Sequence, residues 1–292
     1  MRLVFSLVAV AWLVCAVPAQ QLAPSPLWQA VEQTLGRAAA PQPGGVMTFR
    51  FPRTDLSVMV GDVPIRPALA LGGWAAFLPT ATGAIAMGDL VLTTAEVAPV
   101  ERALEAGGAE VMAIHNHLIG ETPRLVYLHF MARGDPAAIA TMLRAALALS
   151  GTPLVAPPAA PAAPMSLDTA AIARALGAPG KVNGGVYQTN VARTEPIVSD
   201  GVTLPPAMGL ATVINIQPLD SGRAAAAGDF VLTEGQVTPV IRALLAHGIS
   251  VTAVHSHLMS STPTLRFVHF WRVGSPAALA EGIAAALAIQ RK

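Results

Sequence analysis

Residues 112–130 read MAIHNHLIGETPRLVYLHF, and 140 residues later the chain repeats the pattern as TAVHSHLMSSTPTLRFVHF. Six of the seven histidines in the chain belong to the two copies: His115, His117 and His129 in the first, and His255, His257 and His269 in the second. A repeat of this length is much longer than the units of solenoid proteins. The pattern therefore predicts two similar domains, each with its own His-x-His…His motif.

The segments around the motif predict an α+β fold for each copy. Residues 88–93 predict a strand that leads into a helix, because apolar residues at helical spacing follow them. Residues 110–118 and 124–132 are predicted to form a β-hairpin, and an Ala- and Leu-rich helix follows at 137–150. Each unit is thus expected to run helix, strands, helix, β-hairpin, helix, and the whole chain to be an internal duplication of that unit.

The chain divides at changes in composition. The predicted segments are a signal peptide at 1–19, a first repeat at 26–150, a Pro- and Ala-rich linker at 151–165 and a second repeat at 166–292. More than half of the residues are hydrophobic, which suffices for a sizeable core in each repeat. The 18 Lys and Arg residues nearly balance the 17 Asp and Glu residues, so no basic surface is expected and nucleic acid is excluded as a partner.

The first residues predict export. Arg2 precedes an apolar run at 3–17, and small residues up to Ala19 supply a cleavage site, which is typical of a secretory signal peptide. The run is shorter than the ~20 residues that span a bilayer, so no stable transmembrane span is expected after cleavage. The expected location is periplasmic or extracellular, with envelope association left open. Cys15 lacks the small preceding residue that lipid attachment needs, and its loss with the signal leaves no thiolate ligand in the mature chain.

The histidines of each motif are expected to converge. Alternate residues of a strand share a face, so His115 and His117 project from the same side of the predicted hairpin. Pairing around residue 121 brings His129 opposite His115 or diagonal to it. Three neutral imidazoles with an open coordination position suit zinc and also copper. A three-histidine site is therefore predicted in each repeat, while structural histidines or a site for a small polar ligand without metal remain alternatives.

One carboxylate lies near the first motif. Glu121 occupies the predicted hairpin turn, where it is placed to act as a fourth ligand or a general base, although an exposed turn residue would look the same in the sequence. The second copy has Ser261 at the equivalent position. Asp89 and Asp229 each follow a glycine, and we interpret them as turn residues. His247 is expected to lie at a helix C-terminus in a structural role.

At these residues the chain resembles the LppY/LpqO family of bacterial secreted or lipid-anchored proteins. The resemblance rests on the tracts GDLVLTTAEVAPV at 88–100, AIHNHLIGETP at 113–123, LHF at 128–130 and LGGWAAF at 71–77. It covers nearly the whole mature chain as two copies of one unit. The resemblance implies an exported, duplicated protein, and it supplies no established activity.

The sequence thus predicts an exported protein that binds a transition metal or a small polar ligand through its histidines. One alternative is a metal-dependent hydrolase or lyase in which Glu121 is the general base. Another is an interaction module of the cell envelope that holds no metal. Metal analysis separates the last alternative from the other two, and substitution of Glu121 separates the binding protein from the enzyme.

Overall fold

The computed structural model describes residues 26–155 and 165–292. The predicted signal peptide at 1–19, Cys15 and positions 156–164 of the predicted linker lie outside the described residues. None of the helices within 26–155 and 165–292 is long and apolar enough to cross a membrane.

Both repeats combine short helices with antiparallel strands. The helices are α1 (Pro26–Leu35), α2 (Pro67–Ala70), α3 (Thr94–Ala106) and α4 (Pro136–Leu147) in the first repeat, and α5 (Thr169–Leu176), α6 (Glu234–Ala246) and α7 (Pro276–Gln290) in the second. Strands of the first repeat are β1 (Ala40–Pro41), β2 (Met47–Pro52), β3 (Val58–Val60), β4 (Val63–Ile65), β5 (Gly72–Thr80), β6 (Gly83–Thr93), β7 (Glu110–His115), β8 (Glu121–Thr122) and β9 (Leu125–Gly134). Strands of the second are β10 (Gly180–Asn183), β11 (Val186–Ala192), β12 (Ile197–Ser199), β13 (Val202–Leu204), β14 (Ala211–Pro218), β15 (Ala224–Thr233), β16 (Ser250–His255) and β17 (Leu265–Gly274).

Each repeat is built on one six-stranded sheet. The strand order is β1-β2-β5-β6-β9-β7 in the first repeat and β10-β11-β14-β15-β17-β16 in the second. These orders correspond strand for strand, and neighbouring strands are antiparallel in both sheets. The duplication that the histidine spacing predicts is therefore present in the fold.

The outer face of each sheet is covered by helices of its own repeat. In the first repeat Leu90 and Leu92 of β6 pack into a core with Val100 of α3 and Leu143 of α4. The second repeat has an equivalent core under α5, α6 and α7. The capping box of Thr93 and Glu96 fixes the start of α3 directly after β6, as the sequence predicts.

The inner faces of the two sheets pack against each other. One interface cluster joins Met87 and Met131 of the first repeat to Val231 and Phe267 of the second. Another joins first-repeat side chains such as Tyr127 to Ala225 and Ala227 on β15. The order across the molecule is therefore helices, sheet, sheet, helices, and any polar side chain on an inner face lies between the repeats.

Two details of the predicted repeat differ from the structure. β7 and β9 are antiparallel neighbours, but the connection between them is longer than predicted, because β7 ends at His115 and the intervening β8 pairs with β3 through Val60 and Glu121. The Gly88–Asp89 pair is not a turn: both residues lie inside the continuous strand β6. A glycine is needed at position 88 because a Cβ atom there would lie 2.4 Å from the ring of Phe130.

Candidate metal centre between the repeats

The candidate site is assembled by the central strands of both sheets. Asp89 on β6 is directly paired with His129 on β9, and Asp229 on β15 is paired with His269 on β17 in the same way. Since alternate residues share a face, each aspartate and its histidine point to the inner side of the sheet. The site therefore begins with one carboxylate and one imidazole from each repeat.

The remaining histidines come from the edge strands. His115 is the last residue of β7 and pairs with Tyr127, so His129 lies diagonal to it, which is one of the two placements predicted. His117 follows two residues later, beyond the end of the strand. His255 and His257 occupy the corresponding positions after β16. All six predicted histidines are thus brought to the inner faces of the sheets.

The rings form three close pairs, each with one ring from each repeat. The centroids of His115 and His255 are 3.8 Å apart. The centroids of His117 and His269 are 3.9 Å apart, and those of His129 and His257 are 3.8 Å apart. Tyr127 stacks on His117 at 3.4 Å, and Phe267 stacks on His257 at 3.5 Å. Each ring of one repeat is therefore flanked by a ring of the other.

This arrangement changes how the histidines group. Three sets of side chains have ligand atoms that all lie within 4.8 Å of one another: His115, His129 and His255; His115, His117 and His269; and Asp229, His255 and His257. Two of these sets take histidines from both repeats. The sequence predicted a separate three-histidine site in each repeat, whereas the structure brings the six histidines into one cluster at the interface.

Asp89 and Asp229 are the residues that sequence reasoning missed. The Oδ2 atom of Asp89 lies 3.2 Å from Nε2 of His117 and 3.9 Å from Nε2 of His129. The Oδ2 atom of Asp229 lies 3.4 Å from Nε2 of His257 and 3.9 Å from Nε2 of His269. An aspartate that recurs 140 residues later inside an apolar run was the available signal, since aspartate is rarely buried without a partner.

Burial sets the protonation of these groups. It lowers the pKa of His115 from its ordinary value to about 4, and it lowers the pKa of His117, His129, His257 and His269 well below the ordinary value. Burial also raises the pKa of Asp89 and Asp229 well above the usual range for an aspartate. The imidazoles are therefore neutral near pH 7, which is the form in which histidine binds metal.

The Nε2 atoms of all six histidines are buried and have no hydrogen-bonding partner of acceptable geometry among the described residues. The Oδ1 atoms of Asp89 and Asp229 are also buried without a hydrogen-bonding partner among the described residues. Most buried polar side-chain atoms in proteins make at least one hydrogen bond. Eight exceptions in one place indicate a cluster that is built to hold something else.

Two of the rings are oriented by backbone carbonyls. Nδ1 of His257 lies 3.0 Å from the carbonyl oxygen of Gly209, and Nδ1 of His269 lies 3.1 Å from that of Gly228. A carbonyl only accepts, so these Nδ1 atoms carry the proton and leave the Nε2 lone pair free toward the cluster. A metal-binding histidine usually donates its other ring N–H to a carbonyl or carboxylate in this way, which fixes the orientation of the ring.

Hydrogen bonds with the second repeat hold in place the loop after β7 that carries His117. The hydroxyl of Thr252 donates to the backbone carbonyl of His117 at 2.7 Å. The side-chain amide of Asn116 donates to the carbonyl of Thr252 at 2.8 Å. His117 is therefore positioned by the second repeat as well as by its own loop.

Glu121 belongs to none of the three sets of ligand atoms. It is buried on β8, where its Oε1 atom accepts a hydrogen bond from the backbone N–H of Leu125 at 3.1 Å. Its Oε2 atom has no hydrogen-bonding partner among the described residues. His247 caps the C-terminal end of α6, as the sequence predicts, and belongs to none of the sets.

A groove of about 620 Å³ lies elsewhere in the described part of the chain. It runs between α5 and α7, with Leu167, Ile172 and Ala280 among its lining residues. None of the cluster histidines lines it. The cluster is thus a buried group of ligands and not the wall of this groove.

Comparison with known proteins identifies the family. The sequence model described as "Domain of Unknown Function (DUF1259)" matches residues 29–149 and again residues 170–289, so the chain belongs to this family and carries the domain twice. No curated protein matches the chain.

Two solved structures align weakly with the chain. The trimeric bacterial microcompartment shell protein PduB is 13% identical with a TM-score of 0.24, over 88% of this chain and 91% of that one. EtuB from Clostridium kluyveri is 10% identical with a TM-score of 0.22, over 87% of this chain and 90% of that one. Scores this low establish neither a shared fold nor a shared function.

Proposed function

We propose that this protein binds a transition metal through the histidines and aspartates that its two repeats bring together. The observation that carries the proposal is the set of six buried Nε2 atoms without hydrogen bonds, beside two buried carboxylates. An unsatisfied buried polar atom costs about 1–3 kcal/mol, so a fold that keeps this many together needs a compensating interaction. A metal ion supplies that interaction for several of them at once.

The donor atoms indicate the class of metal. Neutral imidazole nitrogens with a carboxylate oxygen suit zinc and copper, as the sequence predicts, and they suit other divalent transition metals in general. Magnesium and calcium prefer oxygen ligands throughout. The absence of cysteine from residues 16–292 leaves histidine and carboxylate as the ligands.

The test is metal binding by the full-length mature protein. The protein is stripped with a chelator and titrated with Zn²⁺ by calorimetry, and elemental analysis of protein purified from its native compartment identifies the natural metal. We expect tight binding by the wild type and at least about tenfold weaker binding by His115→Asn, since a ligand that is removed costs at least as much as a lost supporting contact. His115 is chosen because it belongs to two of the three sets of ligand atoms.

The matched control is His247→Asn, which changes a histidine outside the cluster. It should bind zinc as the wild type does. Absence of any zinc or copper binding by the wild type would contradict the proposal. It would instead favour a cluster that holds a small polar ligand or an interaction module without metal.

A second candidate function is a metal-dependent hydrolase or lyase with Glu121 as general base. It is supported by the buried, unpartnered Oε2 atom of Glu121. A general base must be within hydrogen-bonding reach of the proton that it removes. Glu121 is absent from the sets of ligand atoms, so we favour the binding function.

We further propose that the protein is exported, with cleavage after Ala19 and repeats at 26–150 and 166–292 joined by a linker at 151–165. The basic start, the apolar run and the resemblance to the LppY/LpqO family support this location. Mass spectrometry of the native protein should find a chain that starts at Gln20. A chain with its original N-terminus, held in the membrane, would contradict the proposal.

A further inference from the structure

The cluster has more ligands than one metal ion uses. Six histidines and two aspartates meet between the sheets, whereas a zinc ion in a protein takes about four ligands. A single ion bound by one set of these ligands would leave the equivalent ligands of the other repeat buried and unpaired. The number of metal ions is therefore a separate question from whether the cluster binds metal.

Two sets of ligand atoms have no member in common. His115, His117 and His269 form one, and Asp229, His255 and His257 form the other. Because they share no side chain, both can be filled at the same time. Each contains two histidines from one motif, and the first also takes a histidine from the opposite repeat.

The two ligands left over complete these sets in a symmetrical way. Asp89 lies 3.2 Å from Nε2 of His117, so it adds a carboxylate to the first set. His129 is the counterpart of His269 and its ring lies 3.8 Å from that of His257, so by the same symmetry we assign its imidazole to the second set. Each half of the cluster then holds three histidines and one aspartate.

We propose that the cluster is a two-ion centre, with one divalent transition-metal ion bound by Asp89, His115, His117 and His269 and the other by Asp229, His129, His255 and His257. The proposal rests on the metal-binding function above and adds its stoichiometry and its ligands. Each ion takes one histidine from the opposite repeat, so the two ions join the sheets at equivalent points. The two aspartates balance part of the charge, one for each ion.

The test is the stoichiometry of the full-length protein with Co²⁺ and Zn²⁺ as probes. Elemental analysis after saturation and removal of free metal should give two ions per chain. Asp89→Asn and Asp229→Asn should each reduce the number to one, because each removes the carboxylate of one set. Asp62→Asn is the matched control, since Asp62 is an exposed residue that pairs with Arg223 outside the cluster, and it should keep two ions.

The outcomes separate the two proposals. One ion in the wild type, lost completely in either aspartate variant, would overturn the two-ion centre and leave the metal-binding function in place. No bound ion in the wild type would overturn both. The wild-type count needs no variant, and circular dichroism of each variant shows whether a lower count reflects loss of the fold.

Discussion

The ring of His115 stacks on the ring of His255 with 3.8 Å between their centroids and 17° between their planes. These two residues occupy equivalent positions in the two repeats, at the ends of edge strands β7 and β16. Their contact therefore lies on the approximate twofold axis that relates the repeats. The cluster on either side of it is a property of the pair of repeats and not of one domain.

The first prediction follows from this symmetry. His115→Asn and His255→Asn should each weaken zinc binding at least about tenfold and by similar amounts, because each residue belongs to two sets of ligand atoms. Calorimetric titration of the chelator-treated protein measures the effect, with His247→Asn as control. A large loss in one variant and none in the other would show that one repeat alone supplies the ligands.

Much of this arrangement could be predicted from the sequence, because it depends on local patterns. The spacing of His115 and His117 and its recurrence 140 residues later indicate a duplicated histidine site. Pairing of the two strands places His129 opposite His115 or diagonal to it, and the structure has the diagonal placement. These conclusions need only the period of a strand and the length of a repeat.

The grouping of the histidines could not be predicted in the same way. Which ring of the second repeat meets His117 depends on how two sheets pack, and that is decided by long-range packing such as the cluster that contains Met87 and Phe267. Asp89 was missed for a different reason. The preceding Gly88 suggested a turn, but that glycine instead makes room for the ring of Phe130 inside a strand.

The second prediction concerns acid stability of the metal-free protein. The pKa of His115 is about 4 in the folded chain against an ordinary value of 6.5, and the pKa values of the other five cluster histidines are lowered in the same direction. The unfolded chain therefore binds more protons between pH 6.5 and pH 4, so the free energy of unfolding should fall as the pH falls through this window.

The raised pKa values of Asp89 and Asp229 have the opposite effect, because they increase the free energy of unfolding as the pH falls. They are two groups against six histidines, so the effect of the histidines dominates. Urea unfolding at several pH values should show a slope of about 1.4 kcal/mol per pH unit for each net proton. His115→Asn should have a shallower slope than the wild type. An equal slope in the two proteins would show that the cluster does not control acid stability.

The third prediction concerns the strand that carries Asp229. A Cβ atom at Gly228 would lie 2.1 Å from the carbonyl oxygen of Val213 and 2.7 Å from the ring of Phe270. Gly228→Ala should therefore lower the free energy of unfolding by about 1–3 kcal/mol. Zinc affinity should also fall, since the carbonyl of Gly228 orients His269.

Gly235→Ala is the matched control for this change. Gly235 lies in α6, and a Cβ atom there would meet nothing within 4 Å. The substitution should leave the protein equally stable or more stable by up to about 1 kcal/mol, because alanine favours helices over glycine. Equal stability of Gly228→Ala and Gly235→Ala would show that the close approach at β15 is easily relieved.

The last prediction decides between a binding protein and an enzyme. Glu121 belongs to no set of ligand atoms, and its Oε1 atom accepts a hydrogen bond from Leu125 that a glutamine oxygen can also accept. Glu121→Gln should therefore bind as many zinc ions as the wild type, with an affinity changed by no more than a few fold.

If the protein only binds metal, neither form should hydrolyse chromogenic esters or phosphates. If the zinc-loaded wild type does hydrolyse them, and Glu121→Gln loses the reaction with its metal content intact, Glu121 is the general base. Glu110→Gln, an exposed residue at the start of β7, is the matched control for the change of charge. Loss of zinc from Glu121→Gln alone would show that this carboxylate helps to hold the metal and would contradict its placement outside the cluster.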